Sequence, residues 1–335
     1  MINSPFYKNI NALKADIDEF KLLEQEFHKQ FGLNDIVSNS KIYEIVIADK
    51  LGHRILPKMS NSKDAKDTDG GLIEYKHYKE SSSNHSWTFN DFSDTTIASL
   101  NGVKSVIFAH FNDISEPLLF DWYYNVTGTQ VSEYLSVATK QIKNNRKMTN
   151  VSPRQIETNL GISRSFVNQQ FIGEYNDLIQ KYITLSEKME IVCGTHGILT
   201  SNKLWEVIVG IELGHKVNSE QGGRAGSYDA EDINGGTYEY KVAKKGAWNF
   251  QDISENVLNK YLSDQAIICA IVNKEKFEIQ EIYSISPEIM IPYLREKLLQ
   301  KKLALEAKGK KLRRLQVSVS KSEILKLGAV SLIQV

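Results

Sequence analysis

The sequence predicts a mixed α/β protein, α+β in character, with a small, partly antiparallel sheet in each of two similar halves. Three observations lead there. A thirteen-residue pattern occurs twice, 165 positions apart. Residues 64–76 read Asp-Ala-Lys-Asp-Thr-Asp-Gly-Gly-Leu-Ile-Glu-Tyr-Lys, and residues 229–241 read Asp-Ala-Glu-Asp-Ile-Asn-Gly-Gly-Thr-Tyr-Glu-Tyr-Lys, with eight identities. Short β-branched apolar runs follow each copy, and segments of helical spacing precede each.

The elements follow in order. Residues 8–30 place Ile10, Leu13, Ile17, Phe20, Leu23 and Phe27 on one helical face, and residues 172–190 are their equivalent. Residues 41–51 and 203–213 form a second helix in each half, with Tyr43, Val46 and Ile47 to one side. After Gly70-Gly71 the chain alternates as a strand. Leu72, Glu74 and Lys76 then share one face, Ile73 and Tyr75 the other. Glu239 and Lys241 share a face in the same way. Residues 94–100 and 254–262 read as helices, and 103–111 and 265–273 as buried central strands.

The repeat is longer than its core. Lys41 to His53 matches Lys203 to His215, Trp87 to Ser93 matches Trp248 to Ser254, and Val106 to Ala109 matches Ile267 to Ala270. Near the ends, Val151-Ser-Pro-Arg with Leu160-Gly161 is matched to Val317-Ser-Val-Ser with Leu327-Gly328, so offsets run from 161 to 167. Solenoid units are about 20–50 residues long. This is instead a repeat of whole domains, 1–168 and 169–335, each large enough for its own core.

Lys plus Arg and Asp plus Glu both total 41, so the net charge is zero. Neutrality counts mildly against nucleic acid, but carboxylates that hold metal offset lysines that hold phosphate. The one basic run, Lys297 to Arg314, is read either as a solvated helix face or as a phosphate contact. No signal peptide or bilayer-length apolar run is present, and the expected setting is the cytoplasm, with no membrane partner. Cys193 and Cys269 are too few for a zinc site or disulfide scaffold and are read as free packing thiols.

The spacing carries chemistry. Phosphodiester hydrolysis needs an activated water and neutralised charge in the transition state, which Mg²⁺ supplies through a few carboxylate ligands. Asp64 and Glu74 can converge on one ion with the Tyr75 carbonyl, and Lys76 beside them can orient water or stabilise the phosphate. Asp229, Glu239, Tyr240 and Lys241 repeat the set. Two sets suggest one site for each strand of a duplex. A single copy reads more readily as a polar turn followed by an edge strand with a Glu–Lys pair. The two copies, however, agree on Asp, Glu and Lys while their neighbours differ.

The stretch from Gly223-Arg224 through Asp229-Ala-Glu-Asp, Gly235 and Glu239-Tyr-Lys241 resembles the active-site segment of PvuII-like type II restriction endonucleases, members of the PD-(D/E)xK nuclease superfamily. The likeness continues at Lys260-Tyr261, at residues 266–271, at Ile282-Tyr283, and in the first half at residues 32–36 and 55–57. It implies two subunit-like domains fused in one chain, working as a monomer on double-stranded DNA with Mg²⁺. A cognate DNA methyltransferase is expected in the same system, though not as a physical partner. The family's tyrosine near the scissile phosphate falls on Tyr261, and on Leu100 in the first half. Its DNA-reading positions fall on Asp35, Asn90 and Asp91, and on Arg224, Gln251 and Asp252. The second half has no counterpart of Asp35, and Lys58-Met59 stands where the second half has Gly223-Arg224. The expected target is therefore asymmetric or only partly palindromic. A non-catalytic DNA-binding protein, or a nicking nuclease with one degenerate site, is the alternative.

Four features stay outside that assignment. Residues 155–167 look like a helix-turn-helix, but the same register recurs at 322–331, so both are read as closing elements of the repeat. Trp87 and Trp248 are core or DNA-stacking residues. Glu44 and Glu206 are metal-assisting or solvent-facing. His53 and His215 are read as turn residues.

Overall fold

A computed structural model describes residues 5–36, 41–57, 63–142, 147–194, 197–198, 203–218, 228–274, 276–309, 312 and 314–334. It is a mixed α/β chain with two six-stranded mixed sheets. Two compact units are present. The first contains Glu26–Ile36 and Ser40–Ile183, the second Met1–Gln25 and Thr184–Val335.

The chain opens with α1 (Pro5–Lys8) and α2 (Ile10–Phe31). The first unit continues through α3 (Lys41–Leu51), β1 (Arg54–Ile55), β2 (Ala65–Lys66), β3 (Leu72–Lys79) and β4 (Trp87–Phe92). Then come α4 (Asp94–Ala98), β5 (Ser105–Phe111), β6 (Phe120–Thr127), α5 (Gly128–Ala138), β7 (Lys147–Val151), α6 (Pro153–Gln155) and β8 (Ser165–Phe166). Its sheet order is β1-β2-β3-β5-β6-β8, with β3 and β5 parallel and the other neighbours antiparallel. β5 is buried along nearly its whole length, as a strand covered on both faces must be. That coverage explains its unbroken apolar run. α3 is buried almost all round rather than on one side.

After α7 (Asn176–Cys193), the second unit runs through α8 (Lys203–Leu213), β9 (Lys216–Val217), β10 (Ala230–Glu231), β11 (Thr237–Ala243) and β12 (Ala247–Phe250). It continues with α9 (Glu255–Tyr261), β13 (Ala266–Asn273), β14 (Glu278–Ile285), α10 (Pro287–Glu306), β15 (Val317–Ser320), α11 (Lys321–Lys326) and β16 (Val330–Gln334). Read from β9, its sheet order β9-β10-β11-β13-β14-β16 has the pattern of the first sheet, again with one parallel pair, β11 and β13. The amino-terminal helices, as far as Gln25, belong to this unit's packing. Phe20 stacks on Phe277 at 6.4 Å, Lys21 pairs with Glu278 at 3.0 Å, and Lys14 lies 3.5 Å from Glu212.

Each unit also carries a two-stranded ribbon, β4 with β7 and β12 with β15. Trp87 faces Val151 across the first ribbon, and Trp248 faces Val319 across the second. The structural equivalent of Val151 is therefore Val319, two residues beyond the match read from the sequence. A slip of two keeps every side chain on its face, so alternation alone does not reveal it. Both tryptophans are fully buried and donate Nε1–H to a main-chain carbonyl, Trp87 to Ala109 at 2.8 Å and Trp248 to Ala270 at 2.9 Å. They are core residues, with no face left for a base.

The closing elements are short. Ser152 with Gln155, and Ser320 with Glu323, form capping boxes at α6 and α11. Gly161 (φ 68°) and Gly328 (φ 89°) end these turns in the left-handed region. The chain then enters the edge strands β8 and β16. No recognition helix follows Gly161, so the helix-turn-helix pattern is a capped turn plus a strand. In the basic run, Lys297 and Lys301 donate to the carbonyls of Ser318 and Gln316, both at 2.7 Å, and tie α10 to the β15 segment. Cys193 and Cys269 are free and buried. Among the described residues, no helix is long and apolar enough to cross a membrane.

Candidate active site

Main-chain pairing places the first aspartate. The Asp64 N–H donates to Ile73 O at 3.1 Å, and Asp64 O accepts from Leu56 N at 2.9 Å. Its Oδ2 accepts the Tyr75 N–H at 2.7 Å, which fixes the carboxylate against β3. Strand alternation puts Glu74 and Lys76 beside it on one face. Lys76 Nζ donates to Glu74 Oε1 at 2.8 Å and to Tyr75 O at 3.1 Å.

The second unit repeats this bond for bond. Asp229 N donates to Tyr238 O at 2.9 Å, Asp229 O accepts from Asn218 N at 2.8 Å, and Oδ2 accepts from Tyr240 N at 2.8 Å. Lys241 Nζ donates to Glu239 Oε1 and, at 3.1 Å, to Tyr240 O.

A third carboxylate acts by charge on each site. Burial first, then the charges of Glu44 and Glu74, push the Asp64 carboxyl up to about 7. Glu44, in the first turn of α3 and 17 % exposed, thus acts on the aspartate by charge and is not a freely solvated surface group. It is held by Lys41 at 2.6 Å. Its counterpart Glu206 is paired with Lys203 at 3.1 Å, and burial and then Asp229 raise its carboxyl to about 7. Burial also raises Glu239 to about 7, against the pull of Lys241. Burial acts the same way on Glu74, but Lys76 and Lys63 outweigh it and hold this carboxyl below its ordinary range. Burial lowers the Lys76 ammonium, and Glu74 and Asp64 more than reverse that, so it stays charged.

Among the described residues, no three His, Cys, Asp or Glu side chains are arranged as a metal-holding group. The oxygens on hand in the first site are Asp64, Glu74 and the Tyr75 carbonyl, and a lysine ammonium already stands on two of them. An oxygen set crowded with like charge and already occupied by a cationic head suits a hard divalent ion. Mg²⁺ uses one or two carboxylates and keeps several waters, so it does not need a closed protein cage.

The sites differ in their outer groups. Lys63 Nζ lies 3.6 Å from Glu74 Oε2. The matching position in the second unit is Tyr228, whose hydroxyl donates to Glu231 at 3.1 Å. Tyr261, the last residue of α9, stands near Glu239 and works against the rise of its carboxyl, and its ring centroid is 5.7 Å from Lys241 Nζ. Its counterpart Leu100 is fully buried in the first core and offers no hydroxyl.

The remaining repeated residues build the turn and its support. Asp67 Oδ1 accepts from Asp69 N at 3.0 Å and from Gly71 N at 2.7 Å. Asp232 Oδ1 does the same for Asn234 and Gly236, both at 2.8 Å. Gly70 (φ 82°) and Gly235 (φ 86°) need the left-handed conformation. A Cβ on Gly71 would stand 2.4 Å from Lys104 Cδ, so the close approach here comes from a neighbouring side chain. His53 Nδ1 meets the Tyr75 hydroxyl at 2.8 Å, and His215 Nδ1 meets that of Tyr240 at 2.9 Å. Both histidines thus brace the site strand from behind, a role for which the only sequence signal was their recurrence with the two tyrosines.

Comparison with models of known protein families finds no match, and comparison with curated protein sequences finds none.

The positions expected from the sequence to contact DNA fall on the ribbons and loops. Asp35 (φ 57°) follows α2 and is half-buried. Asn90 is exposed on β4, where the pairing with β7 slips between Phe89 and Phe92. Asp91 is in the same strand. Gln251 and Asp252 are exposed just past β12, and Asp252 (φ 55°) accepts both Nε and Nη2 of Arg314, at 2.9 and 2.7 Å. Arg224, Lys58 and Met59 lie outside the described residues.

Proposed function

We propose that the chain is a Mg²⁺-dependent type II restriction endonuclease acting on double-stranded DNA. In this reading it is a tandem duplication of a PvuII-like PD-(D/E)xK domain, a single-chain pseudo-dimer working as a monomer, with each unit cutting one strand. The observation that carries the reading is the repetition of one arrangement. In both units the aspartate is pinned by the N–H of the residue between the glutamate and the lysine, and the lysine bridges that glutamate and the intervening carbonyl. A surface strand with an incidental Glu–Lys pair gives no reason for the same buried bonds twice.

Asp64, Glu74 and the Tyr75 carbonyl would hold an ion in the first site, and Asp229, Glu239 and the Tyr240 carbonyl in the second. Bound Mg²⁺ supplies charge neutralisation and an activated water. Lys76 and Lys241 carry a fixed positive charge to the scissile phosphate. Partial burial makes that charge more effective than it would be in bulk water. Glu44 and Glu206 add negative charge behind each aspartate and strengthen its hold on a cation.

A second reading, a nicking enzyme with one weaker site, draws on the unequal outer groups, Lys63 with Leu100 and Tyr228 with Tyr261. Incubation of the chain with bacteriophage DNA and Mg²⁺ separates these readings. Discrete fragments, lost with a chelator and with the double variant Asp64→Asn/Asp229→Asn, support restriction. Nicked circles alone support the second reading. Uncut DNA from the unaltered chain rejects both.

A further inference from the structure

Among the described residues beside the first site, Lys63 is a charged group whose counterpart in the second unit, Tyr228, carries no charge. It immediately precedes Asp64, so the pairing that fixes the aspartate also fixes the lysine backbone. Its side chain is only 16 % exposed, and its ammonium faces the Glu74 oxygen that Lys76 leaves unused. The 3.6 Å separation is longer than the 2.8 Å hydrogen bond from Lys76, so Lys63 is held by charge rather than by a directed bond. A long, loosely held ammonium can change partners without breaking the local fold. In the second unit Tyr228 takes this place and turns its hydroxyl to Glu231, while Tyr261 brings a hydroxyl near Glu239. Leu100 supplies nothing equivalent to the first site.

We propose that Lys63 is a second catalytic cation of the first site, resting on Glu74 in the free protein and turning to the phosphate of the bound strand. This rests on the nuclease reading above. It makes the two sites chemically unequal, one with two lysines and the other with a lysine and a tyrosine. It also gives Lys63 two opposed effects. At rest it competes with a dication for Glu74, and with DNA bound it adds positive charge at the phosphate.

The test uses the full chain and a plasmid that the unaltered protein cuts. Run-off sequencing of nicks scores each strand, and Lys76→Ala identifies the strand cut by the first site. Lys63→Ala should slow that strand by about tenfold or more and leave the other unchanged, with partial recovery in Lys63→Arg. Without DNA, Lys63→Ala should bind Mn²⁺ several-fold more tightly, read from the free-ion electron paramagnetic resonance signal. A misfolded site would lose both properties together. Equal slowing of both strands, no slowing, or weaker Mn²⁺ binding overturns the role of Lys63 alone. Failure of the unaltered chain to cut any DNA overturns the nuclease reading, and this inference with it.

Discussion

The main-chain N–H of Tyr75 donates to Asp64 Oδ2 at 2.7 Å, so the strand that carries Glu74 and Lys76 also aims the aspartate. Tyr240 and Asp229 stand in the same relation at 2.8 Å. The Asp, Glu and Lys of each candidate site are thereby fixed by one strand and one turn.

Independent sites predict separable strand cleavage. Lys76→Ala or Lys241→Ala should each leave a chain that nicks supercoiled plasmid and linearises it slowly. The loss on the affected strand should be about 10²-fold or more, as when a charge-stabilising donor is removed. Gel analysis of nicked and linear products checks this. Loss of all cutting from either single change would show that the sites depend on one another.

Crowded carboxylates predict an unusual pH response. Asp64, Glu206 and Glu239 titrate near 7 in the folded chain, above the ordinary carboxyl range of about 4 in an unfolded one. Between those values the native state holds more protons than the unfolded state, so these groups make stability fall as pH rises. Their contribution is fully present below about 4, and the decline ends above about 7. Without metal, Asp64→Asn should raise the melting temperature at pH 8 and change it little at pH 4. Mg²⁺ should stabilise the unaltered chain most at the higher pH. Calorimetry at the two pH values decides it, and equal melting shifts at both would reject the prediction.

The brace behind the strand predicts a non-additive pair. Tyr75 is 4 % exposed, and its hydroxyl meets His53 Nδ1 at 2.8 Å. His53→Phe strands a buried hydroxyl and should cost about 1–3 kcal/mol, whereas Tyr75→Phe should cost about 0.5–1.5 kcal/mol. The double variant should be less destabilised than the sum. Urea unfolding of the four proteins measures the coupling, and simple additivity would remove the bond from the account.

Unequal ribbons predict an unequal target. Asn90 lies in an irregular strand, while Gln251 sits beside an Asp252 whose oxygens are taken by Arg314. Each well-made bidentate base contact discriminates by about 1–3 kcal/mol, so two or three such differences let each unit prefer different bases. Cleavage-site mapping on a sequenced genome should give an asymmetric or partly palindromic consensus. A strict palindrome would count against it.

Strands and central helices were readable because burial writes itself as period: β3 alternates, and β5 and β13 run unbroken. The recurring Asp, Glu and Lys stood out because a repeat filters out what drifts. Other features left weaker traces. The two-residue shift of β15 preserves facing, so alternation hides it, and the Trp248–Val319 pairing reveals it. Glu44 looked as much like a surface residue as a site residue, because α3 is buried nearly all round and gives no polar face to read. Lys63 is one of many lysines until its ammonium is found beside Glu74. Asp67 and Asp232 recur for the sake of the turn, since each collects two main-chain N–H groups.

The placement of Met1–Gln25 with Thr184–Val335 bears on any attempt to take the chain apart. Phe20 and Lys21 pack on Phe277 and Glu278, far along the polypeptide. A scission near residue 168 would therefore yield an amino-terminal fragment bearing a piece foreign to its own unit, and a carboxy-terminal fragment missing that piece. Neither fragment is a self-sufficient half. The intact arrangement would return only by complementation on mixing, so a gene split at the sequence repeat would behave as two interdependent cistrons.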